Sequence, residues 1–165
     1  MNGNSMYEEH IVSKWTVIIL GAFAAGLFIA YLYQVLGEPL GTRPAPDWFL
    51  LGMSLFFLAI LLNFYKLRIR ISGSGVSAGY GVVSHSVDWD NIQDCYVDKA
   101  STIQYGGWGI RLGRVKGKWR LAYNTLENPR VVVKVKQGRF SEFVFSTSHP
   151  DQVAEIIGRR IGRRA

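Results

Sequence analysis

Two long stretches of the chain are almost wholly apolar, whereas the rest alternates between apolar and polar positions. Residues 15–36 read WTVIILGAFAAGLFIAYLYQVL and residues 48–65 read WFLLGMSLFFLAILLNFY, and neither stretch contains a charge. As helices they would be about 33 and 27 Å long, close to a hydrocarbon thickness of roughly 30 Å. The pattern predicts two transmembrane helices with aromatic residues near their ends. A cleaved signal peptide and a buried core helix are the less favoured interpretations.

The segment between the stretches, GEPLGTRPAPD at 37–47, suits a short turn because it contains three prolines and two glycines. The two spans therefore form an antiparallel hairpin over residues 14–65, preceded by an N-terminal segment, 1–13. Lys66, Arg68 and Arg70 follow the second span at once, whereas the loop carries a single basic residue. The positive-inside rule then predicts both termini in the cytoplasm and the loop on the outer side of the cell (inner) membrane.

Small residues recur four positions apart in the first span, at Gly21 and Ala25 and at Ala22 and Gly26. Such pairs allow another helix to approach closely. We expect this face to pack against the second span, and the alternative is an interface with another copy of the chain.

From residue 66 onward, short alternating runs separated by glycine-containing turns predict an antiparallel β-domain of about seven strands over residues 66–165. The runs lie at 67–71, 82–87, 94–98, 109–112, 119–123, 131–136 and 140–145. The sequence SHPD at 148–151 has the features of a helix start, and apolar residues at helical spacing follow it. We expect one C-terminal helix from about Pro150 to Gly162, and the fold class is that of an α+β membrane protein.

The pattern G-x-G-x-x-A from Gly73 to Ala78 is a candidate dinucleotide-binding turn. Such a turn binds a pyrophosphate only at the N-terminus of a helix that follows it. The residues after Gly79 have no helical period, so the pattern instead predicts a hairpin turn at Gly73–Gly75.

No constellation of residues predicts catalysis, a cofactor or a metal ion. Cys95 lies alone in a predicted strand, and His10, His85 and His149 lie in three separate regions without ligand spacing. An EF-hand register beginning at Asp88 lacks the required glycine and glutamate. We therefore expect a non-enzymatic protein without a cofactor.

Positive charge is concentrated in the predicted β-domain. Residues 66–165 contain 17 basic and 8 acidic residues, a net charge of +9, whereas residues 1–65 have a net charge of −2. Two basic clusters are candidate contacts for lipid or for a partner. They comprise juxtamembrane Lys66, Arg68 and Arg70, and Arg111, Arg114, Lys116, Lys118 and Arg120 around a hairpin tip at Gly117. The alternatives are a topology signal for the first cluster and protection of a sheet edge for the second.

Several motifs resemble the bacterial pleckstrin-homology-like (PH-like) domains of small membrane proteins over most of residues 66–165. They are VDWDNIQD (87–94), YGGWGIRL (105–112), AYN (122–124), QGRF (137–140) and FSTSHPDQVAEII (145–157). The resemblance implies a bent seven-stranded sandwich or barrel capped by a helix, which docks to proteins or lipids and carries no catalytic residue. The long basic hairpin GRVKGKWR departs from the family in detail.

We therefore expect a membrane-anchored docking or scaffold protein that presents its basic β-domain to a protein partner at the cytoplasmic face. The alternatives are a module that binds anionic lipid and an accessory subunit of a larger membrane transporter or enzyme complex. Trp108 and Trp119 flank basic residues, as in surfaces that stack nucleic-acid bases. A nucleic-acid partner is nevertheless disfavoured, because the sequence contains no RNA-binding aromatic motif. The sequence names neither the partner nor the oligomeric state.

Overall fold

The computed structural model describes residues 5–37, 39–98, 107–115 and 117–162. The chain divides into two compact units, of which one is Ser13–Tyr65 and the other joins the N-terminal strand to the residues from Lys66 onward. In chain order the elements are β1 (Ser5–Val12), α1 (Lys14–Leu36), α2 (Asp47–Phe64), β2 (Lys66–Ser72), β3 (Gly75–Tyr80), β4 (Val83–Asp88), a 3₁₀ turn (Trp89–Asn91), β5 (Ile92–Asp98), β6 (Gly109–Val115), β7 (Lys118–Asn124), β8 (Arg130–Val135), β9 (Glu142–Ser146) and α3 (Pro150–Gly162).

Helices α1 and α2 match the two predicted spans to within a residue at each end, and both are long and apolar enough to cross a membrane. They pack against each other along a narrow face on which Leu20 and Ala24 of α1 and Leu50 of α2 are buried. In this face the hydroxyl of Ser54 donates a hydrogen bond of 2.8 Å to the carbonyl of Ala24. Most other side chains of the two helices are exposed, as expected of surfaces that would face lipid.

Polar contacts close both ends of the helical hairpin. At one end the amide of Ser13 donates to the carbonyl of Tyr65 at 2.9 Å. At the other end Gln34 donates through Nε2 to the carbonyl of Ala45 and to the carboxylate of Asp47. Gln34 therefore stabilises the loop between the helices.

The first sheet, sheet A, has the strand order β1-β2-β3-β4 with every neighbour antiparallel. Strand β2 has the predicted alternation, because Leu67, Ile69 and Ile71 are buried while the basic residues between them point to the other face. The predicted turn at Gly73–Gly75 is confirmed as the turn between β2 and β3, and a strand rather than a helix follows it.

The second sheet, sheet B, has the strand order β5-β8-β9-β7-β6. Its β7–β9 pair is parallel, so the expectation of a wholly antiparallel domain was wrong at this pair. All seven predicted runs form strands, and β1 and β3 are additional. In the described residues the strands form two separate sheets, not a closed barrel.

Aromatic residues join the two sheets. Tyr80 of β3 stacks on Tyr123 of β7 with ring centroids 6.3 Å apart, and its hydroxyl donates to the carbonyl of Asn124 at 2.7 Å. The ring of His85 of β4 packs at 70° to the ring of Phe143 of β9, with the ring centroids 5.1 Å apart. The contact between Tyr80 and Asn124 fixes which end of β7 lies against sheet A.

Helix α3 has the predicted bounds and packs against β5 and β8 through Val153 and Ile157, which are fully buried. Its N-terminus is held by Glu9 of β1, whose carboxylate accepts hydrogen bonds from the hydroxyl of Thr147 at 2.5 Å and from the amide of Ser148 at 2.8 Å. A carboxylate at this position complements the partial positive charge of a helix N-terminus. The N-terminal strand is thereby linked to the C-terminal helix.

Candidate docking surfaces

The β6–β7 hairpin forms one edge of sheet B and exposes large apolar side chains. Arg114 lies directly opposite Trp119 in the register, and Leu112 lies opposite Leu121. These four residues share one face of the hairpin, because alternate residues of a strand point to the same side. Leu112 is 49% exposed and Trp119 is 51% exposed. The hairpin therefore presents apolar surface and positive charge side by side.

Two arginines of the hairpin keep their charge available at the surface. Arg111 donates to the carbonyl of Trp108 at 3.2 Å, and Arg114 donates to the carbonyl of Gly117 at 3.0 Å. A carbonyl fixes the direction of a guanidinium group but does not neutralise it. Gly117 has a φ of 83°, which a glycine adopts without strain, so it forms the tip as predicted.

Lys118 and Arg120 differ from these two arginines because both interact with Glu142. Arg120 is only 5% exposed and forms an ion pair with Glu142, which is 1% exposed. Lys118 reaches the same carboxylate at 3.2 Å from a half-exposed position. Arg120 is thus directed into the domain and not toward a partner. Lys116 lies outside the described residues.

The juxtamembrane cluster lies on the outer face of sheet A. Arg68 is exposed, and Lys66 and Arg70 are partly exposed on the same face of β2. The register places His10 opposite Arg68 and Glu8 opposite Arg70. This cluster therefore has an acidic neighbour on β1. It belongs to sheet A, whereas the hairpin cluster belongs to sheet B, so the structure forms two basic surfaces.

The small-residue face of α1 does not pack against α2. Ala22, Ala25 and Gly26 are exposed, and a Cβ atom on Gly26 would meet no atom within 4 Å. Only Gly21 borders α2, where an added Cβ would lie 3.9 Å from Leu61. The expectation that this face packs against the second span was therefore wrong for three of the four residues. The helix pair closes instead through the row that contains Ala24.

Two residues with reactive side chains, Cys95 and His85, are partly buried. Burial, and after it the charge of Asp94, raises the pKa of the Cys95 thiol to about 12, which disfavours the nucleophilic thiolate. Burial also lowers the pKa of His85, whose ring contacts Phe140 and Phe143. Among residues 5–37, 39–98, 107–115 and 117–162, no group of three His, Cys, Asp or Glu side chains could hold a metal ion.

Sequence reasoning missed an apolar end of sheet A. Val82 and Val83, at the turn between β3 and β4, are 91% and 42% exposed, and Val12 at the end of β1 is also exposed. The sequence assigns both valines to the predicted strand at 82–87, whereas in the structure Val82 lies in the turn, where polar residues are the usual choice.

Comparisons with known proteins identify no relative of this chain. No family model matches it, and no curated protein or solved structure is significantly similar to it. The PH-like resemblance therefore stays a prediction, and the structure shows two apolar helices and a β-domain of two sheets.

Proposed function

We propose that this protein is a non-enzymatic docking protein of the cell membrane. Helices α1 and α2 span the bilayer, and the β-domain at the cytoplasmic face binds an acidic protein partner through the β6–β7 hairpin. The observation that carries the proposal is the half-exposed Trp119 opposite the charged Arg114 at a sheet edge.

The membrane anchor is supported by the composition and exposure of the two helices. Both are uncharged over a length that matches the bilayer, and most of their apolar side chains have no cover from within the hairpin. Basic residues follow α2 directly, which favours a cytoplasmic β-domain. The PH-like identity of this domain is part of the same proposal, because the predicted strands and the terminal helix fit that family.

Protein docking is supported by the chemistry of the hairpin. Tryptophan and arginine are the residues that most often dominate the binding energy of protein interfaces. Leu112 and Trp119 provide apolar area, while Arg114 on the same face would select a partner of negative charge. A membrane anchor raises the effective concentration toward partners in the same membrane, so a small contact area is sufficient.

The test is a mild-detergent pull-down of the tagged full-length protein from its native membranes. We expect a stoichiometric partner that is lost in Trp119→Ala and in Arg114→Glu. Arg139→Glu is the matched control, because it makes the same charge change at another exposed arginine. A partner retained by all variants would contradict docking through the hairpin and would favour an accessory subunit held through the helices. The absence of any partner would contradict both.

Recognition of anionic lipid is the second candidate, and the exposed basic face of β2 favours it. Near an anionic leaflet each basic residue contributes on the order of 1 kcal/mol of attraction. The full-length protein in nanodiscs should then show salt-sensitive hydrogen-exchange protection of β2 with phosphatidylglycerol but not with phosphatidylcholine alone. Charge reversal at Arg114, Lys116 and Lys118 would test the hairpin cluster in the same way, and equal exchange in both lipids would exclude this candidate.

A further inference from the structure

We propose that the turn between β3 and β4, with Val82 at its tip, inserts into the boundary between headgroups and acyl chains of the bilayer. This inference rests on the membrane anchor of the proposed function and adds a second, non-covalent attachment of the β-domain to the lipid. The occupant of this apolar end is the membrane itself, not a protein.

The turn lies at the end of sheet A where β1 leads into α1 and where β2 begins after α2. Val12 pairs with Lys66, Leu67 pairs with Tyr80, and Tyr80 pairs with Val83. The end of β1, the start of β2 and the turn between β3 and β4 are therefore neighbours along one end of the sheet.

The strand register also limits the distance between the turn and Lys66, the first residue of β2. Lys66 follows the last residue of α2, Phe64, with one residue between them. Adjacent strands lie about 4.8 Å apart, and β3 and β4 are the next two strands after β2 in the sheet. The turn that joins β3 to β4 therefore lies within roughly 10 Å of Lys66. This distance follows from strand pairing within sheet A alone.

The chemistry of the turn is unusual for a water-exposed position. Gly81, with a φ of 47°, and Val82 form a two-residue turn, for which asparagine, aspartate, serine and glycine are the preferred residues. The side chain of Val82 is almost fully exposed, so it does not pack into the core. An apolar side chain at this place is accounted for by contact with lipid.

The other hairpin tip of sheet A provides a comparison within the same molecule. The turn between β2 and β3 lies at the opposite end of the sheet and consists of Gly73 and Ser74. Its two residues are those expected of an exposed turn in water. The apolar tip is thus found at the end that is joined to the apolar helices, and the polar tip at the end that is not.

The experiment places an environment-sensitive fluorophore on single engineered cysteines in the full-length protein. The variants are Val82→Cys at the proposed contact, Ser74→Cys at the opposite tip and Leu55→Cys on the exposed surface of α2. Unmodified protein provides the background, because the native Cys95 is half-buried. Each protein is reconstituted into vesicles of phosphatidylcholine and phosphatidylglycerol with nitroxide lipids of shallow or deep position.

We expect shallow nitroxides to remove on the order of half of the emission at position 82 and to leave position 74 unchanged. Deep nitroxides should quench position 55. If position 82 behaves like position 74 while position 55 is quenched, the anchor stands and the insertion of the turn is wrong. If position 55 is not quenched, the membrane anchor itself is wrong and the inference fails with it. Val12→Cys, at the same end of the sheet, gives a second measurement should the label disturb the turn.

Discussion

At the scale of single residues, the β-domain depends on carboxylates that interact with groups far away in the sequence. Glu142 lies between Lys118 and Arg120 on sheet B, and Glu9 of β1 holds the start of α3. Neither role is visible in the sequence, because each partner is supplied by a different strand or by the far end of the chain. Replacing either carboxylate by an amide should therefore lower the stability of the β-domain more than the same change at an exposed glutamate.

Glu142→Gln should strongly destabilise the β-domain, because it leaves the charge of Arg120 buried without its counterion. Removing one partner of a buried ion pair costs about 3–5 kcal/mol. Glu155→Gln is the control, since its partner Arg159 lies one turn away on the exposed side of α3 and the loss should be about 0.3–0.5 kcal/mol. Thermal unfolding of the full-length proteins in mild detergent measures both, and equal shifts would contradict a buried role for Glu142.

Glu9 should make the stability of the β-domain dependent on pH in the acid range. Its burial raises the pKa, but hydrogen bonds from Thr147, Ser148 and Tyr7 outweigh burial, so the pKa lies below its ordinary value of 4.5. A carboxyl group with a depressed pKa contributes stability above its unfolded-state pKa and loses it as the pH falls through the folded-state value.

The measurement is the melting temperature of the wild type and of Glu9→Gln over a series of pH values. The wild type should exceed the variant at neutral pH, and the difference should vanish in acid. His149→Gln is the control, because the His149 imidazole lies 3.9 Å from Glu9 and its removal leaves the Glu9 carboxylate in place. A difference that does not depend on pH would show that the Glu9 charge contributes nothing.

At the scale of elements, the strength of the hydrophobic pattern decided what the sequence could predict. The two helices, seven strands and α3 carry clear periods, and their positions follow from the pattern. Strand β1 was missed because Glu8, Glu9 and His10 interrupt its alternation, and because Glu9 points inward to serve α3. Strand β3, GVSAGY, has small residues that fill close contacts in the sheet instead of an apolar face.

The candidate surfaces were predicted less well than the elements. Charge counting found the basic residues, but it could not separate the exposed Arg114 from the buried Arg120, because only the pairing of β7 with β9 places Glu142 beside Arg120. Spacing found the small residues of α1 but not the side of the helix that α2 covers. That side follows from Ser54 and its hydrogen bond to Ala24.

The packing face of the helical hairpin can be tested by two matched substitutions in α1. Ala24→Phe should separate the helices and lower the melting temperature in detergent, because overpacking a close contact costs typically about 1–3 kcal/mol. Ala22→Phe should have little effect, since Ala22 is exposed within the hairpin. A larger loss of melting temperature in Ala22→Phe than in Ala24→Phe would show that α2 packs against the small-residue face of α1.

At the scale of the whole molecule, the pairing of β1 with β2 constrains the topology independently of charge. Strand β1 precedes α1 and strand β2 follows α2, yet the two form one sheet. Paired strands lie on the same side of a membrane, so either both helices cross it or neither does. The positive-inside rule then decides only which side that is.

An impermeant maleimide in intact cells tests this topology with three single cysteines. Thr42→Cys in the loop between the helices should react from outside, whereas Ser5→Cys and Ser141→Cys should react only after permeabilisation. All three positions are exposed in the structure. Labelling of Ser5 and Ser141 from opposite sides would contradict the fold, while a reversed result for all three would contradict only the predicted orientation.

The ladder between β1 and β2 also ties the completion of the domain to biogenesis. During synthesis β1 leaves the ribosome first, but its partner appears only after the whole of Ser13–Tyr65. If α1 and α2 span the bilayer, the strand must wait while they enter it, and it cannot join the sheet when only one of them has crossed. A chain with one failed crossing would keep an open edge on β2 and an unoccupied start on α3, and would be a substrate for quality-control proteolysis. The finished sheet therefore excludes a chain in which only one of the two helices has crossed.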